Sequence, residues 1–307
     1  MIAPKLRSRR RWLAVGLLVL LLVPILAYVA ICAYAADALT TAPRNLDRTR
    51  TPDRLGATYE PVRFPSRTAG LELAGWYLPS PDADRALVMV HGHTSSRTTE
   101  FDGRFVDLVV ALHQRGFAVL AFDLRGHGES SDAHIGFGSL EHDDVGGAID
   151  WLRSRGFAAG RIGTFGVSMG GAATIRAVAD NPDVAALAVD SAPARVLDVI
   201  RQEWPTASGL PDLFLPTTLF FARIRHNVDL AAAPAIAVIP QVAPRPTLFI
   251  HGDADELVDP VTAAQLAATL PGSELWMVAG AEHARAYLID PQAYNLRVGD
   301  FFERAIP

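Results

Sequence analysis

Cysteine is almost absent from these 307 residues: Cys32 is the only one, and it lies inside an apolar stretch near the N-terminus. A single thiol builds neither an intramolecular disulfide nor a cysteine-based zinc site, so the fold is expected to hold by its core alone. Lysine is as scarce, with Lys5 the only one, and we read the arginine that replaces it as coding bias. The C-terminal two hundred residues contain no block of like charges, and the net charge is -5. A nucleic-acid groove or a polyanion partner is therefore not expected. Tandem repeats, low-complexity runs and phosphate-binding loops are missing as well. What remains is an ordinary globular composition, 50% hydrophobic and 20% charged, in a chain long enough for one large α/β domain of about 250 residues.

One segment stands apart. Trp12 to Ala36 is nearly all apolar, broken only by Pro24 and small residues, and it follows Lys5, Arg7, Arg9, Arg10 and Arg11. About 20 apolar residues cross a bilayer, whereas a secretory core is usually about 7 to 15. Residues 1–36 are thus expected to be a basic tip and an uncleaved single-pass anchor, with the tip in the cytoplasm and the rest outside. Arg44, Arg48, Arg50 and Arg54, on the far side, argue against that orientation. Other readings stand beside it. Ala33-Tyr34-Ala35 resembles a cleavage site, which would release a secreted protein. Ser8 to Leu13 resembles a twin-arginine export signal, followed however by a very hydrophobic segment. Val29 to Cys32 resembles a lipoprotein box, but Ile31 stands where a small residue is needed.

Residues 37–55 are polar and aperiodic and are expected to form a tether. From there, residues 56–307 read as one folded domain. Tyr59 to Phe64 and Leu71 to Leu78 alternate with period two around Gly70, which predicts an antiparallel hairpin at a sheet edge. Ala86 to Val90, Phe117 to Phe122, Ile162 to Phe165, Ala185 to Val189, Thr247 to Ile250 and Leu275 to Val278 are short apolar runs, the pattern of strands buried on both faces. Helices are predicted near Glu100 to Arg115, Leu140 to Arg155, Gly170 to Asn181, Val261 to Leu270 and Pro291 to Arg304. In the last, Tyr294, Val298, Phe301 and Phe302 form one apolar stripe. The alternation implies a mostly parallel sheet flanked by helices. Residues 194–245 are too long for one crossover and are expected to form a small helical cap over the carboxyl ends of the strands, where ligands bind in such sheets.

The chemistry concentrates in four places. Arg161 to Gly171 is a buried strand running into Gly166-Val167-Ser168-Met169-Gly170-Gly171 and then a helix. A nucleophile elbow needs a serine in a strained turn, with small residues two before and two after it so that strand and helix can approach. The same turn aims the Met169 N–H at the place where an oxyanion would form. Val88 to Thr94 ends a second buried strand in His91-Gly92. With these two motifs the chain resembles the α/β-hydrolase superfamily, in which His-Gly opens the loop that supplies a second oxyanion N–H. The resemblance assigns that N–H to His93, with Thr94 as the neighbouring alternative, and leaves His91 a supporting role. Phe122 to Ser130 is similar to the family's Asp-x-Arg-Gly-x-Gly-x-Ser turn, so Asp123, Arg125 and His127 are expected to be structural.

Leu248 to Val258 matches the strand and Gly-x-x-Asp loop that carries the triad acid in that family, which puts Asp255 in this role, with Asp253 as a local rival and Asp190 as a distant one. Val278 to Ala284 follows the final strand, where the family has its base, at His283. The resemblance extends over about Pro61 to Phe302 and looks closest to serine-aminopeptidase-like, monoglyceride-lipase-like and bem46-like hydrolases. It implies acyl transfer on an ester, thioester or amide by Ser168, His283 and Asp255, with Met169 and His93 at the oxyanion and no metal or organic cofactor. The implied partners are a small-molecule or lipid acyl substrate and, through the N-terminal helix, a membrane; no oligomeric state is implied. An acyltransferase with the same triad and a non-catalytic ligand-binding module are the alternatives. Trp204, Leu213, Phe214, Phe220 and Phe221 in the cap are candidates for an acyl pocket, though apolar residues at such spacing are more often core.

Overall fold

The computed structural model describes residues 4–81, 83–232 and 234–306. The extreme basic tip at 1–3 and the side chains of Lys5, Arg7, Arg9 and Arg10 lie outside the described residues.

Among the described residues, eight strands form one sheet in the order β1-β2-β4-β3-β5-β6-β7-β8: β1 (Glu60–Pro65), β2 (Glu72–Leu78), β3 (Ala86–Val90), β4 (Ala118–Phe122), β5 (Ile162–Val167), β6 (Val184–Asp190), β7 (Thr247–Gly252) and β8 (Glu274–Val278). The hairpin of β1 and β2 is antiparallel, as is β2 against β4, while every later pairing is parallel. In β3, β4, β5 and β7 every residue is buried, because helices cover both faces. α3 (His142–Ser154), α4 (Met169–Ala179) and α8 (Val261–Thr269) lie on one face, where Phe64, Leu120, Ile149 and Ile175 share a cluster. α2 (Phe105–Gln114), the short α9 (Ala286–Ile289) and α10 (Pro291–Ala305) lie on the other, with Phe105, Phe165, Tyr294 and Phe302. α10 starts where the Asp290 side chain accepts from the Gln292 and Ala293 amides and Pro291 needs no partner, and it buries the predicted stripe.

Two expectations change. β8 is not buried on both faces: it ends the sheet, and Leu275 and Met277 are exposed. The second helix starts at Phe105 instead of Glu100, because Phe101, Asp102 and Gly103 all have positive φ and cannot continue a right-handed helix.

Between β6 and β7 the chain makes α5 (Val196–Ser208), α6 (Leu215–His226) and α7 (Ala235–Val238). The N-terminal helix, α1, runs from Pro4 to Leu39, past Ala36, and its last turns pack on these helices. Ala35 and Ala36 share a buried cluster with Ile200, Trp204, Leu215 and Ala222. The residues after α1 do not hang free as a tether would. The Arg44 guanidinium donates to the carbonyls of Gly128 and Ser130, Asn45 Nδ2 donates to Thr94 O at 2.7 Å, and Arg50 pairs with Asp107 at 3.0 Å. A polar segment without periodicity is here a strap held by its own side chains.

Candidate active site

The sheet reverses its winding between β3 and β5: the chain runs outward from β3 to β4, then returns past β3 to β5 and continues the other way. The crevice beyond the carboxyl ends at such a point is where ligands bind. The residue after β5 is Ser168, and the loop after β3 begins with His91, Gly92 and His93.

Ser168 has φ 51° and ψ -116°, a conformation that a residue with a Cβ adopts only under strain. Glycine on either side permits it. A Cβ on Gly170 would stand 2.2 Å from the His91 carbonyl oxygen, and one on Gly166 would stand 2.6 Å from Gly170 O. Strand, helix and β3 loop therefore approach more closely than any side chain allows. The Ser168 amide donates to Asp190 O at 2.8 Å, anchoring the turn to β6.

His283 joins Ser168 to Asp255. Its Nε2 lies 2.9 Å from Ser168 Oγ and its Nδ1 2.8 Å from Asp255 Oδ2. Asp255 Oδ1 accepts from the amides of Leu257 and Val258 at 3.0 and 2.8 Å, which fixes the carboxylate plane. A second imidazole, unforeseen from the sequence, reaches the same oxygen: His251 Nε2 lies 3.0 Å from Asp255 Oδ2 and 2.8 Å from Val258 O. Burial alone would push the Asp255 pKa up, but the hydrogen bonds from His251 and His283 outweigh it and hold the carboxyl well below its ordinary range. No sequence pattern marks His251: it stands in β7 just before Gly252 and is fully buried.

Around the β3 loop, three groups hold the His93 peptide. Gly92 N donates to the buried Glu100 Oε2 at 2.6 Å. His91 Nδ1 donates to Gly92 O at 2.7 Å while its Nε2 accepts from Leu124 N at 3.0 Å, a supporting role for which the neutral ring is needed and which burial favours by lowering its pKa. His127 bridges Arg125 O and His93 O, at 2.8 and 2.5 Å. A Cβ on Gly92 would touch the Ser168 Cβ at 3.4 Å, so this loop and the elbow are in contact. The His93 ring is pushed down to a pKa of about 4 by burial and then by His127, and is neutral near pH 7.

The rival residues have other work. Asp253 Oδ1 accepts from Gly280 N at 2.6 Å and stays exposed. Asp190 is fully buried, with Tyr294 Oη donating to Oδ2 at 2.7 Å and Ser191 Oγ to Oδ1 at 2.8 Å; burial raises its pKa. Asp123 accepts from the Arg97 and Glu129 amides and pairs with the Arg97 guanidinium, and Arg125 pairs with Asp144. Both ion pairs shape turns beneath the site.

Ser168, Met169, His93 and Thr94 line one cavity of about 440 Å³, within the range of small-molecule sites. Its remaining wall is mostly apolar, from α5 (Val196, Val199, Ile200, Trp204) and, from the N-terminal helix, Ala38 and Leu39. Among the described residues, Glu203 is the only carboxylate that lines it. Of the five cap residues considered for an acyl pocket, only Trp204 is there; Leu213 and Phe220 are exposed at 63% and 56%.

Residues 81–232 match the family described as "Serine aminopeptidase, S33". The chain is similar to the uncharacterized protein YqkD of Bacillus subtilis (strain 168), 26% identical over 243 residues that make up 76% of each chain. It is also similar to the uncharacterized protein YfhR of Escherichia coli (strain K12), 29% identical over 244 residues and again 76% of each. Among solved structures, the Pyrococcus furiosus esterase Pf2001 superposes with a TM-score of 0.72 and 25% identity, over 87% of this chain and all of that one. With this strand order, and with these neighbours, the chain has the α/β-hydrolase fold.

Proposed function

We propose that the chain is a membrane-anchored serine hydrolase that cleaves an ester of an apolar carboxylic acid through an acyl-enzyme. One observation carries this reading: a strained serine at the base of an apolar cavity is hydrogen-bonded to an imidazole whose other nitrogen meets a buried carboxylate. In the reaction, His283 Nε2 takes the Ser168 proton as Oγ attacks the ester carbon. The amides of Met169 and His93 receive the oxyanion, and Asp255 stabilises the imidazolium. The imidazolium then gives its proton to the departing alcohol as the C–O bond breaks. Water, deprotonated by His283, releases the acid. Residues 194–245 act as a cap over the cavity, and residues 56–307 as the catalytic domain.

An ester of an apolar acid is favoured over a peptide because a free peptide amino group would need acidic partners, and the cavity offers Glu203 alone among apolar walls. Anchoring is supported by the helix from Arg11 to Leu39, in which an 18-residue stretch has a mean hydropathy of 2.9 and is 6% buried, unlike a core helix. Arg44, Arg48 and Arg50 pair with carboxylates of the domain, which supports the reading that their charge serves the fold more than the orientation of the anchor.

The test is labelling of detergent-solubilised protein by a fluorophosphonate, wild type beside Ser168→Ala, with turnover of an acyl ester series. Labelling and turnover that both vanish in the variant support the mechanism. A wild type that neither labels nor turns over points instead to a ligand-binding module, and transfer to an added alcohol in preference to water points to an acyltransferase.

A further inference from the structure

The distal end of α1 is more than an attachment. Tyr28 Oη donates to Leu213 O at 2.9 Å and lies 2.8 Å from Thr217 Oγ1, with its ring 4.9 Å from that of Phe214. Further along, Asp37 pairs with Arg225 and His226, and Thr40 Oγ1 meets His134 Nδ1 at 2.9 Å. The helix is thus bound to the cap at both ends of α6, running parallel to it, and then to the catalytic domain. Between these fastenings, Ala38 and Leu39 face the same cavity as Ser168.

Depth in the bilayer follows from length. From Trp12 to Ala27, before the first bond to the cap, there are only 16 residues, about 24 Å of helix against a hydrocarbon core of about 30 Å. Spanning the core takes about 20 residues, so it reaches Ile31 and draws the Tyr28 level of the cap to the hydrocarbon boundary. Leu213, exposed and bonded to Tyr28 through its carbonyl, stands at that level. Ala38 and Leu39 follow about 12 Å beyond Ile31, within a few ångström of the headgroup layer.

We propose that α1 forms a wall of the acyl pocket and seats the cap in the outer bilayer boundary, so that the substrates are membrane-dissolved esters whose acyl chain is measured against Leu39. This rests on the serine-hydrolase reading of the same cavity. The Tyr28 contacts hold the cap at the lipid surface, and the Asp37 and Thr40 contacts hold the wall in register with Ser168. A chain rising from the hydrocarbon passes the apolar face of α5 before its carbonyl reaches the elbow.

The experiment uses the full chain in phosphatidylcholine vesicles and reads the ratio of kcat/KM for decanoyl and butyryl esters. Leu39→Trp fills the wall and is expected to lower the ratio about tenfold, the scale at which pockets discriminate methylenes; Leu39→Ala is expected to raise it. Opposite shifts do not arise from a general folding defect. Independently of turnover, bimane on Leu213→Cys in a Cys32→Ala background is expected to be quenched by nitroxide-bearing lipid, and bimane on Arg304→Cys is not. Ratios that stay put in both Leu39 variants, or an unquenched Leu213 probe, overturn the proposal while fluorophosphonate labelling of the wild type leaves the serine-hydrolase reading standing. A wild type without labelling overturns both.

Discussion

His283 holds Ser168 and Asp255 at once, 2.9 Å from the one through Nε2 and 2.8 Å from the other through Nδ1. The carboxylate dictates which nitrogen carries the proton, and so leaves Nε2 free to accept one from the serine. Ser168→Ala is expected to lower kcat by about four to six orders of magnitude, and Asp255→Asn by about four, because the amide favours the wrong tautomer. Single-turnover assays with an activated ester read both. Comparable rates for Asp255→Asn and wild type would remove Asp255 from the mechanism.

Two buried carboxyls should respond to pH with opposite sign. Asp255 is held below its ordinary 3.8, so its contribution to stability is full above that value and is lost as pH falls through the lower folded value. Glu100 is raised above its ordinary 4.5 by burial, so stability is lost as pH rises from that ordinary value through the higher folded one, and protonation relieves the cost. Glu100→Gln, which can still accept from Gly92 N, is expected to raise Tm at pH 8, with the gain shrinking toward pH 5. Thermal melts across that range decide it; a gain independent of pH would mean that charge is not the cause.

His127 reaches the site through the His93 carbonyl, and its ring meets those of His91 and His93 edge-on. His127→Ala should therefore let the peptide that carries the His93 N–H tilt, lowering kcat about 10- to 100-fold with little change in KM. Steady-state kinetics on a short ester separate the two constants. An effect confined to KM would place the His93 loop in binding instead of charge stabilisation.

The elbow stores strain that two substitutions move in opposite directions. Gly170→Ala would drive a methyl into the His91 carbonyl and is expected to cost about 2–3 kcal/mol or more. Ser168→Gly keeps the turn and relaxes the positive φ, and should be more stable than the equally inactive Ser168→Ala by about 1 kcal/mol. Denaturant titration of the three proteins gives the order, and a Ser168→Ala at least as stable as Ser168→Gly would deny the strain.

Much of this is legible in the amino-acid sequence. Each buried strand carries a largely apolar run, interrupted by glycine and Thr164 in β5 and ended by His251 in β7, and the residues now grouped about Ser168 follow the ends of such runs in chain order, so local pattern located them. Contacts across long separations left no such mark. Nothing in the composition of Ala38 or Leu39 distinguishes a pocket wall from the end of an anchor, since an apolar side chain suits both. His251 reads as a strand residue until the loop after β7 folds Asp255 back over it. Leu275 and Met277 look like core because long apolar residues also serve an outer strand, whose exposure depends on whether another strand follows. Phe101 and Asp102 interrupt a helix that their side chains alone would not have stopped.

The shared cluster of Ala35 and Ala36 with Ile200, Trp204, Leu215 and Ala222 bears on how the protein can be handled in the laboratory. Trimming the chain to a seemingly convenient soluble fragment that begins after Leu39 would strip the cover from that cluster and leave a sticky, partly unroofed cap. Such a fragment is expected to self-associate, and any activity measured on it would describe the fragment, not the full chain.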